Sequence, residues 1–421
     1  LKIVTALVSI IFILLNSVSP VYALSSSAPP QIHGEGAYLI DVQSGQTLYS
    51  KNGDELLAPA STTKIMTGLL AIENGNLDDV VTLSSSILDY QIVYGTRIYL
   101  EPGEKMSLRD LLYALLLNSA NDAAVGVAEH IGGDLPHFVS MMNDKAKSLG
   151  LTNTTFKNPT GLTEAGHLTT AHDLARIAQA AYANPIFRDY VQTKKHTITR
   201  TNPNVPREMI NENKLLGQNP SVNGMKTGYT AVAENCLVTS ASQNGRDLIA
   251  VILKSPGREI YTDMENLLNY GFSQFQTTVY KPAGSAITQT SIGTDEINLL
   301  LAKPILITHK INEASSEPTL KIFPSAKNLT KVDQGQTLGT VEVWDGKEKI
   351  NEILLTSDRS VIPKPALLKS PPWVTYLLIF VILGVIFILV RNKRRAARPL
   401  RSICLPDEKT KTHESNDQDI S

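Results

Sequence analysis

Residues 59–72 read Pro-Ala-Ser-Thr-Thr-Lys-Ile-Met-Thr-Gly-Leu-Leu-Ala-Ile. The run from Ile65 to Ile72 has the length and apolarity of a helix core, so Ser61 stands at a helix N-terminus and Lys64 one turn later. A spacing of three puts both side chains on one helix face. A helix N-terminus also favours negative charge and offers free backbone N–H groups. A serine hydroxyl is a poor nucleophile until a base takes its proton. Lysine can be that base only when neutral. Its ordinary pKa is about 10.4, so burial or a neighbouring positive charge must favour the amine. Taken alone, Ser-x-x-Lys arises often by chance, and a capping serine beside a surface lysine fits it as well.

Working outward, Ala37 to Tyr49 reads as a hairpin around Ser44-Gly45. Ser107 and Asp110 form a capping-box variant that opens a helix over Leu108–Leu117. Ser119-Ala120-Asn121 follows in the break after that helix. There Ser119 could relay a proton, and Asn121 could both accept from and donate to a substrate amide. Phe138–Leu149 and Ala171–Tyr182 are further amphipathic helices. Lys226-Thr227-Gly228 precedes Tyr229. A lysine and a threonine hydroxyl at this place could hold a carboxylate, and Gly228 would allow close approach to a strand edge. Cys236–Ser242 and Asp247–Lys254 are strands around Asn244-Gly245, a strong hairpin signal, and Ile260–Tyr270 closes the set as a helix. Strands at both ends with helices between them describe one mixed α/β domain over residues 32–275.

From 277 to 362 the helical period fades. Short β-rich runs occupy Ala286–Thr290, Ile305–Thr308, Leu320–Phe323, Val341–Trp344 and Lys349–Leu355, with Asp345-Gly346 as a hairpin turn between the last two. A small all-β sandwich or barrel is expected, placed as a stalk.

The two ends set the compartment. Lys2, the apolar run Ile3–Leu15, Pro20 and Val21-Tyr22-Ala23 have the anatomy of a secretory signal over 1–23. Trp373–Val390 is eighteen residues without a charge, close to the roughly 20 that a bilayer core requires. Arg391, Lys393, Arg394, Arg395, Arg398 and Arg401 follow, so 391–421 is expected on the cytoplasmic side of a single span and the body outside. Cys236 and Cys404 then lie on opposite faces of the membrane and do not pair. Cys236 reads as a buried strand residue.

Composition excludes several classes. The 421 residues hold 39 basic and 40 acidic side chains, which gives no overall attraction to nucleic acid. The single basic run abuts the membrane. Two cysteines cannot build a disulfide scaffold or a thiolate metal site. No His-Glu-x-x-His or similar cluster exists, so no metal and no cofactor is expected.

Each of the three motifs is weak alone, but together they are specific. Ser61-x-x-Lys64, then Ser119-x-Asn121 about 60 residues on, then Lys226-Thr227-Gly228 about 100 further, is the signature set of penicillin-binding proteins and class A β-lactamases. The chain resembles the serine-type D-Ala-D-Ala carboxypeptidases, the low-molecular-mass penicillin-binding proteins. Leu57-Ala58-Pro59-Ala60, Asn118 to Ala124, Leu149-Gly150-Leu151 through Asn158-Pro159-Thr160-Gly161-Leu162, and His167 to Ala175 are similar to further blocks of that family. The likeness covers 32–275 strongly and 277–362 by position. In the middle motif Ala120 stands where many relatives carry glycine, and it adds little bulk.

The resemblance implies a penicillin-binding/β-lactamase-like serine transpeptidase fold (α+β), an antiparallel sheet flanked by helices, then the all-β domain and the span. It implies that Ser61 attacks the carbonyl between two terminal D-alanines of a peptidoglycan stem peptide, with Lys64 as base. Ser119 would pass the proton to the departing D-alanine, and either Lys64 or Ser119 could be the working base. Asn121 would hold the peptide amide. Lys226 and Thr227, with Gly228 and Tyr229 beside them, would bind the terminal carboxylate. The N–H groups of Ser61 and Tyr229 would form the oxyanion hole. β-Lactams would acylate Ser61 and leave slowly.

Rival readings remain within reach of the same motifs. A DD-endopeptidase acting on cross-linked peptides would use the same machinery. A class A β-lactamase needs Glu-x-x-Leu-Asn between the second and third motifs. Here Glu265-Asn266-Leu267-Leu268-Asn269 follows the third, and the order argues against it. A surface binding protein with a decayed site is disfavoured because all three motifs are intact.

Overall fold

The computed structural model describes residues 28–362 and 372–396, apart from 201, 203, 294, 326–328 and 330. The expected signal at 1–23, the chain beyond 396 and Cys404 lie outside the described residues. The chain divides between Ile362 and Pro363 into a body and a C-terminal unit.

Strands β1 (Gly36–Asp41) and β2 (Thr47–Lys51) form the hairpin expected around Ser44-Gly45. Two short pairs follow: β3 (Val80–Thr82) with β4 (Lys105–Ser107), and β5 (Lys195–Thr197) with β6 (Glu208–Ile210). Then β7 (Val222–Thr230), β8 (Glu234–Gln243) and β9 (Arg246–Ser255) complete a five-stranded antiparallel sheet in the order β2-β1-β9-β8-β7. The β8–β9 turn places Asn244 at φ 52° and Gly245 at φ 77°. Both left-handed residues are what a two-residue hairpin of matching twist demands.

The sheet is covered on both faces, and β9 shows why. Leu248, Ala250 and Ile252 point into one apolar cluster, while Ile249, Val251 and Leu253 point into another. Successive side chains alternate across a strand, so a strand buried on both sides reads as a continuous apolar run. The helices are α1 (Lys64–Asn74), α2 (Leu108–Leu116), α3 (Asn121–Gly132), α4 (Leu135–Ser148), α5 (Ala171–Ala183), α6 (Pro185–Gln192), α7 (Leu215–Gln218) and α8 (Glu259–Gln274). Helix α8 packs Ile260, Met264, Leu267 and Leu268 on the first face; α1 to α6 build the second. Every residue of α1 from Lys64 to Ala71 is buried, which makes it a central helix rather than an amphipathic surface one.

Three sequence expectations shift. Ser61 lies in a 3-10 turn, Ala60–Thr63, that leads into α1, so Lys64 is the first residue of the α-helix itself. Asn121 is the first residue of α3 and not part of a loop; only Ser119 and Ala120 lie in the connection. Helix α3 carries no side-chain N-cap, because Ala120 holds that position, and the start signal that marks α2, α4, α5 and α6 is missing. Helix α4 begins three residues earlier than the apolar period suggests, at Leu135, capped by the Asp134 carboxylate that accepts from His137 N.

Between α8 and Ile362 every described helix or strand is a strand. β10 (Phe275–Lys281) pairs with β13 (Ile305–Lys310). β11 (Ala286–Ile292), β12 (Asp295–Leu301), β14 (Thr319–Pro324), β15 (Thr337–Asp345) and β16 (Glu348–Ser357) form a second five-stranded sheet, ordered β11-β12-β16-β15-β14. The sequence reading missed β10 and β12. A third apolar cluster, including Ile297, Leu299, Val341 and Leu355, fills this segment.

Its join to the first sheet is polar. Asn351 Nδ2 donates to Gln43 O at 3.0 Å, and Gln46 Nε2 donates to Asp345 Oδ2 at 3.0 Å. Glu348 accepts from Arg176 and sits 3.0 Å from His172 Nε2. Burial alone would raise the Glu348 carboxyl, but its bonds from His172 and Arg176 outweigh that and hold it at about 2. The C-terminal unit contains α9 (Pro372–Ala396), within which Trp373–Arg395 is long and apolar enough to cross a membrane, with a mean hydropathy of 2.9 over its apolar eighteen-residue window.

Candidate active site

The Ser61 turn is clamped between two glycines. A Cβ on Gly161 would fall 1.9 Å from Ala60 O, and one on Gly228 would fall 2.9 Å from Ser61 N. Only a residue without Cβ fits either place, so β7 and the 158–162 loop press the turn from two sides. Ala60 itself sits at φ 46° and Ser119 at φ 59°, a left-handed conformation that costs a non-glycine residue about 1–3 kcal/mol and collects at functional sites.

Behind the turn, His167 Nδ1 accepts from Lys157 N at 3.2 Å, which leaves the proton on Nε2, 2.9 Å from Thr63 Oγ1. Burial, then the charges of Lys157 and Lys64, lowers this imidazole to about 4. His167 is therefore a neutral brace for the turn at ordinary pH.

Lys64 is wholly buried, and its Nζ touches three oxygens: Ser61 Oγ at 3.0 Å, Asn121 Oδ1 at 2.6 Å and Thr160 O at 2.7 Å. Burial, and after it the charge of Lys226, pushes the Lys64 ammonium well below the ordinary lysine range. Whenever Nζ is neutral it can donate to Asn121 Oδ1 and Thr160 O and turn its lone pair to the Ser61 hydroxyl, which can then donate to it. That is the arrangement a general base needs. Asn121 also donates through Nδ2 to Tyr94 O at 2.5 Å, so it bridges Lys64 to the loop over the site while keeping one N–H free for a ligand.

Lys226 is 1 % exposed, and its Nζ donates to Thr227 O at 3.1 Å. Burial lowers its pKa, and Glu212 pulls it part of the way back. Thr227 Oγ1 donates to Glu212 Oε2 at 2.9 Å. Tyr229 is 67 % exposed at the rim. A cavity of about 750 Å³ joins these parts; Ser61, Ser119, Asn121, Thr227, Gly228 and Tyr229 line it, as does Glu212. Lys64 and Lys226 lie behind its wall. All eight residues singled out in the sequence thus converge on one place. Ser119 makes no side-chain hydrogen bond among the described residues, whereas Lys64 is already in contact with Ser61.

The sequence reading passed over three participants. Thr160 contributes a main-chain carbonyl, for which a side-chain motif carries no signal. Tyr94 does the same for Asn121. Glu212 lies in a polar stretch, Asn211-Glu212-Asn213, with nothing to mark it. The misplaced string Glu265 to Asn269 falls in α8 and none of its residues lines the cavity. Among the described residues no cluster of His, Cys, Asp or Glu could hold a metal ion. Cys236 is buried on β8, and burial pushes its thiol up to about 12.

An antiparallel sheet flanked by helices, with a serine, a buried lysine and a Lys-Thr-Gly edge strand around one cavity, defines a class of active-serine peptidases. The comparisons with known proteins agree. The family model described as D-alanyl-D-alanine carboxypeptidase matches residues 23–257, and the chain belongs to that family, of the penicillin-binding type. The chain is 35% identical over 327 residues to D-alanyl-D-alanine carboxypeptidase DacF of Bacillus subtilis, covering 76% of this chain and 83% of that one. It is 32% identical over 326 residues to DacC of Escherichia coli, covering 74% and 80%. Among solved structures, penicillin binding protein 5 from Haemophilus influenzae superposes with a TM-score of 0.62 at 30% identity, over 79% of this chain and 98% of that one. The DD-transpeptidase of Streptomyces K15 superposes at 0.55 and 34% identity, over 58% and 99%.

Proposed function

We propose that this carboxypeptidase removes the terminal D-alanine from peptidoglycan stem peptides through an acyl-enzyme on Ser61. The contact between Lys64 Nζ and Ser61 Oγ, 3.0 Å within a fully buried pocket, carries the reading. Lys64 takes the Ser61 proton as Oγ bonds to the carbonyl carbon of the penultimate D-alanine. The oxyanion that forms is held by the N–H groups of Ser61 and Tyr229, and the glycine at 228 lets β7 approach Ser61 N. The C–N bond then breaks, and the proton returns through Ser119 to the nitrogen of the departing D-alanine. Water hydrolyses the ester and releases the shortened peptide. Asn121 offers its free N–H to the peptide, and Lys226 with Thr227 holds the terminal carboxylate. Strand β7 is an edge of its sheet, so an extended peptide can lie along it by strand addition.

The domain reading places catalysis in 32–275, a spacer in 277–362, the span at 373–390 and the tail at 391–421. Arg391, Lys393, Arg394 and Arg395 close α9 and support a cytoplasmic C-terminal end. The body then faces the wall outside a single membrane span.

The test follows free D-alanine from a peptide ending in D-Ala-D-Ala, with the full chain in detergent, with and without penicillin. Release that penicillin blocks, and that Ser61→Ala abolishes, supports the proposal. Penicillin bound at Ser61 without release would move the substrate to cross-linked dimers, the endopeptidase alternative.

A further inference from the structure

The donors at the Lys-Thr-Gly strand already hold a carboxylate, and it belongs to the chain itself. Thr227 Oγ1 donates to Glu212 Oε2 at 2.9 Å, and the same oxygen lies 3.5 Å from Lys226 Nζ. The Glu212 side chain is 40 % exposed and lines the cavity. Its backbone is tied: Glu212 N donates to Leu117 O at 3.2 Å, and the neighbouring Asn213 Nδ2 donates to Gly224 O at 2.9 Å. A fixed main chain therefore presents a side chain with open space beside it.

The buried amines of Lys64 and Lys226 share this corner of the fold. A buried ammonium is costly in a low-dielectric interior unless an anion stands near it. Glu212 is that anion, on the same two donors that the proposed function assigns to the terminal carboxylate of the substrate.

We propose that Glu212 is a specificity-determining residue: its carboxylate occupies the terminal-carboxylate subsite on Lys226 and Thr227 and must leave when a ligand carboxylate arrives. The proposal rests on Lys226 and Thr227 being that anchor. The exchange replaces one anion by another, so the charge beside the two lysines is the same before and after binding. The cost falls on affinity. A ligand with a free carboxylate has to displace Glu212, while a ligand esterified at that position competes for no charged donor. Glu212 thus narrows the advantage of acid-terminated ligands over uncharged ones and makes the enzyme respond to high local substrate concentration.

The experiment measures the second-order rate of Ser61 acylation by benzylpenicillin and by its methyl ester, using the full chain in detergent, for wild type, Glu212→Gln and Glu212→Ala. The acid-to-ester rate ratio should rise about tenfold in both variants, the scale of one partly exposed charge-assisted hydrogen bond no longer displaced. The ester rate reports the fold and the Ser61 chemistry in every variant. A ratio within twofold of wild type in both variants, or a lower one, overturns the proposal and makes Glu212 a support of the site. Lys226→Ala and Thr227→Val separate the two levels. Each must slow the acid more than the ester; if neither does, the anchor assignment fails and takes the proposal with it.

Discussion

Replacing Gly228 with alanine puts one methyl group into the contact between β7 and the Ser61 turn. The added Cβ would lie 2.9 Å from Ser61 N, 3.1 Å from Ala60 Cβ and 3.1 Å from Thr62 N. Comfortable separations begin at about 3.5 Å, so strand and turn must part by roughly half an ångström. The neighbours are backbone atoms and a Cβ, none of which can rotate away. Overpacking of this kind costs about 1–3 kcal/mol of stability. The effect on chemistry should be larger in proportion, because a 1 Å misplacement of reacting groups costs about a hundredfold in rate. Half that displacement, applied to Ser61 and to the neighbouring N–H of Tyr229, gives roughly a tenfold loss. The assay is acylation by a fluorescent penicillin, read beside thermal unfolding. Gly217→Ala is the control: its Cβ would meet nothing within 4 Å and it lies inside α7, so it should hold activity and stabilise by a few tenths of a kcal/mol. Wild-type acylation in a folded Gly228→Ala enzyme would refute the idea that this strand positions the nucleophile.

Three further predictions follow from the same geometry. Acylation should climb with pH along a limb well below the ordinary lysine range, as burial and Lys226 dictate for Lys64. That limb should vanish in Lys64→Ala with a loss of about 10²–10⁴ in rate; a pH–rate profile unchanged in that variant would remove lysine as the base. The Glu348 carboxyl is held at about 2 against an ordinary 4.5, so its stabilisation is complete above 4.5 and is lost as pH falls toward 2. With its side chain 33% exposed, that is worth about 2 kcal/mol after solvent screening, and Glu348→Gln should flatten acid unfolding over this window as followed by circular dichroism. The Cys236 thiol, raised to about 12 by burial, should resist alkylation at pH 8 in the folded protein and react once denaturant opens the sheet; fast labelling under native conditions would contradict its packing.

The elements that the sequence shows clearly are those whose signal is local. The apolar core of α1, the Ser107 cap of α2 and the Asn244-Gly245 turn each depend on residues a few positions apart, and each stands where the pattern puts it. Helix α3 lacks a capping side chain and α6 is eight residues long, so neither announces itself. Strand β10 escaped because a largely exposed strand carries few apolar residues to mark it.

Residue types and their spacing in the linear order were enough to single out the candidate chemistry. Ser61, Lys64, Ser119, Asn121, Lys226 and Thr227 are side-chain functions, and their types and spacing survive in the linear order. Tertiary structure alone decided how they are tuned. Lys64 meets Asn121 across 57 positions and the carbonyl of Thr160 across 96. Its lowered pKa comes from burial and from Lys226, neither of which a helix-start motif encodes. Gly228, which lines the cavity, also leaves space for the Ser61 turn. Glu212 reaches Thr227 only because the 211–213 loop is anchored to Leu117 and Gly224. Main-chain acceptors, excluded volume and the electrostatics of buried charge depend on positions in space, and these exist only once the chain has folded.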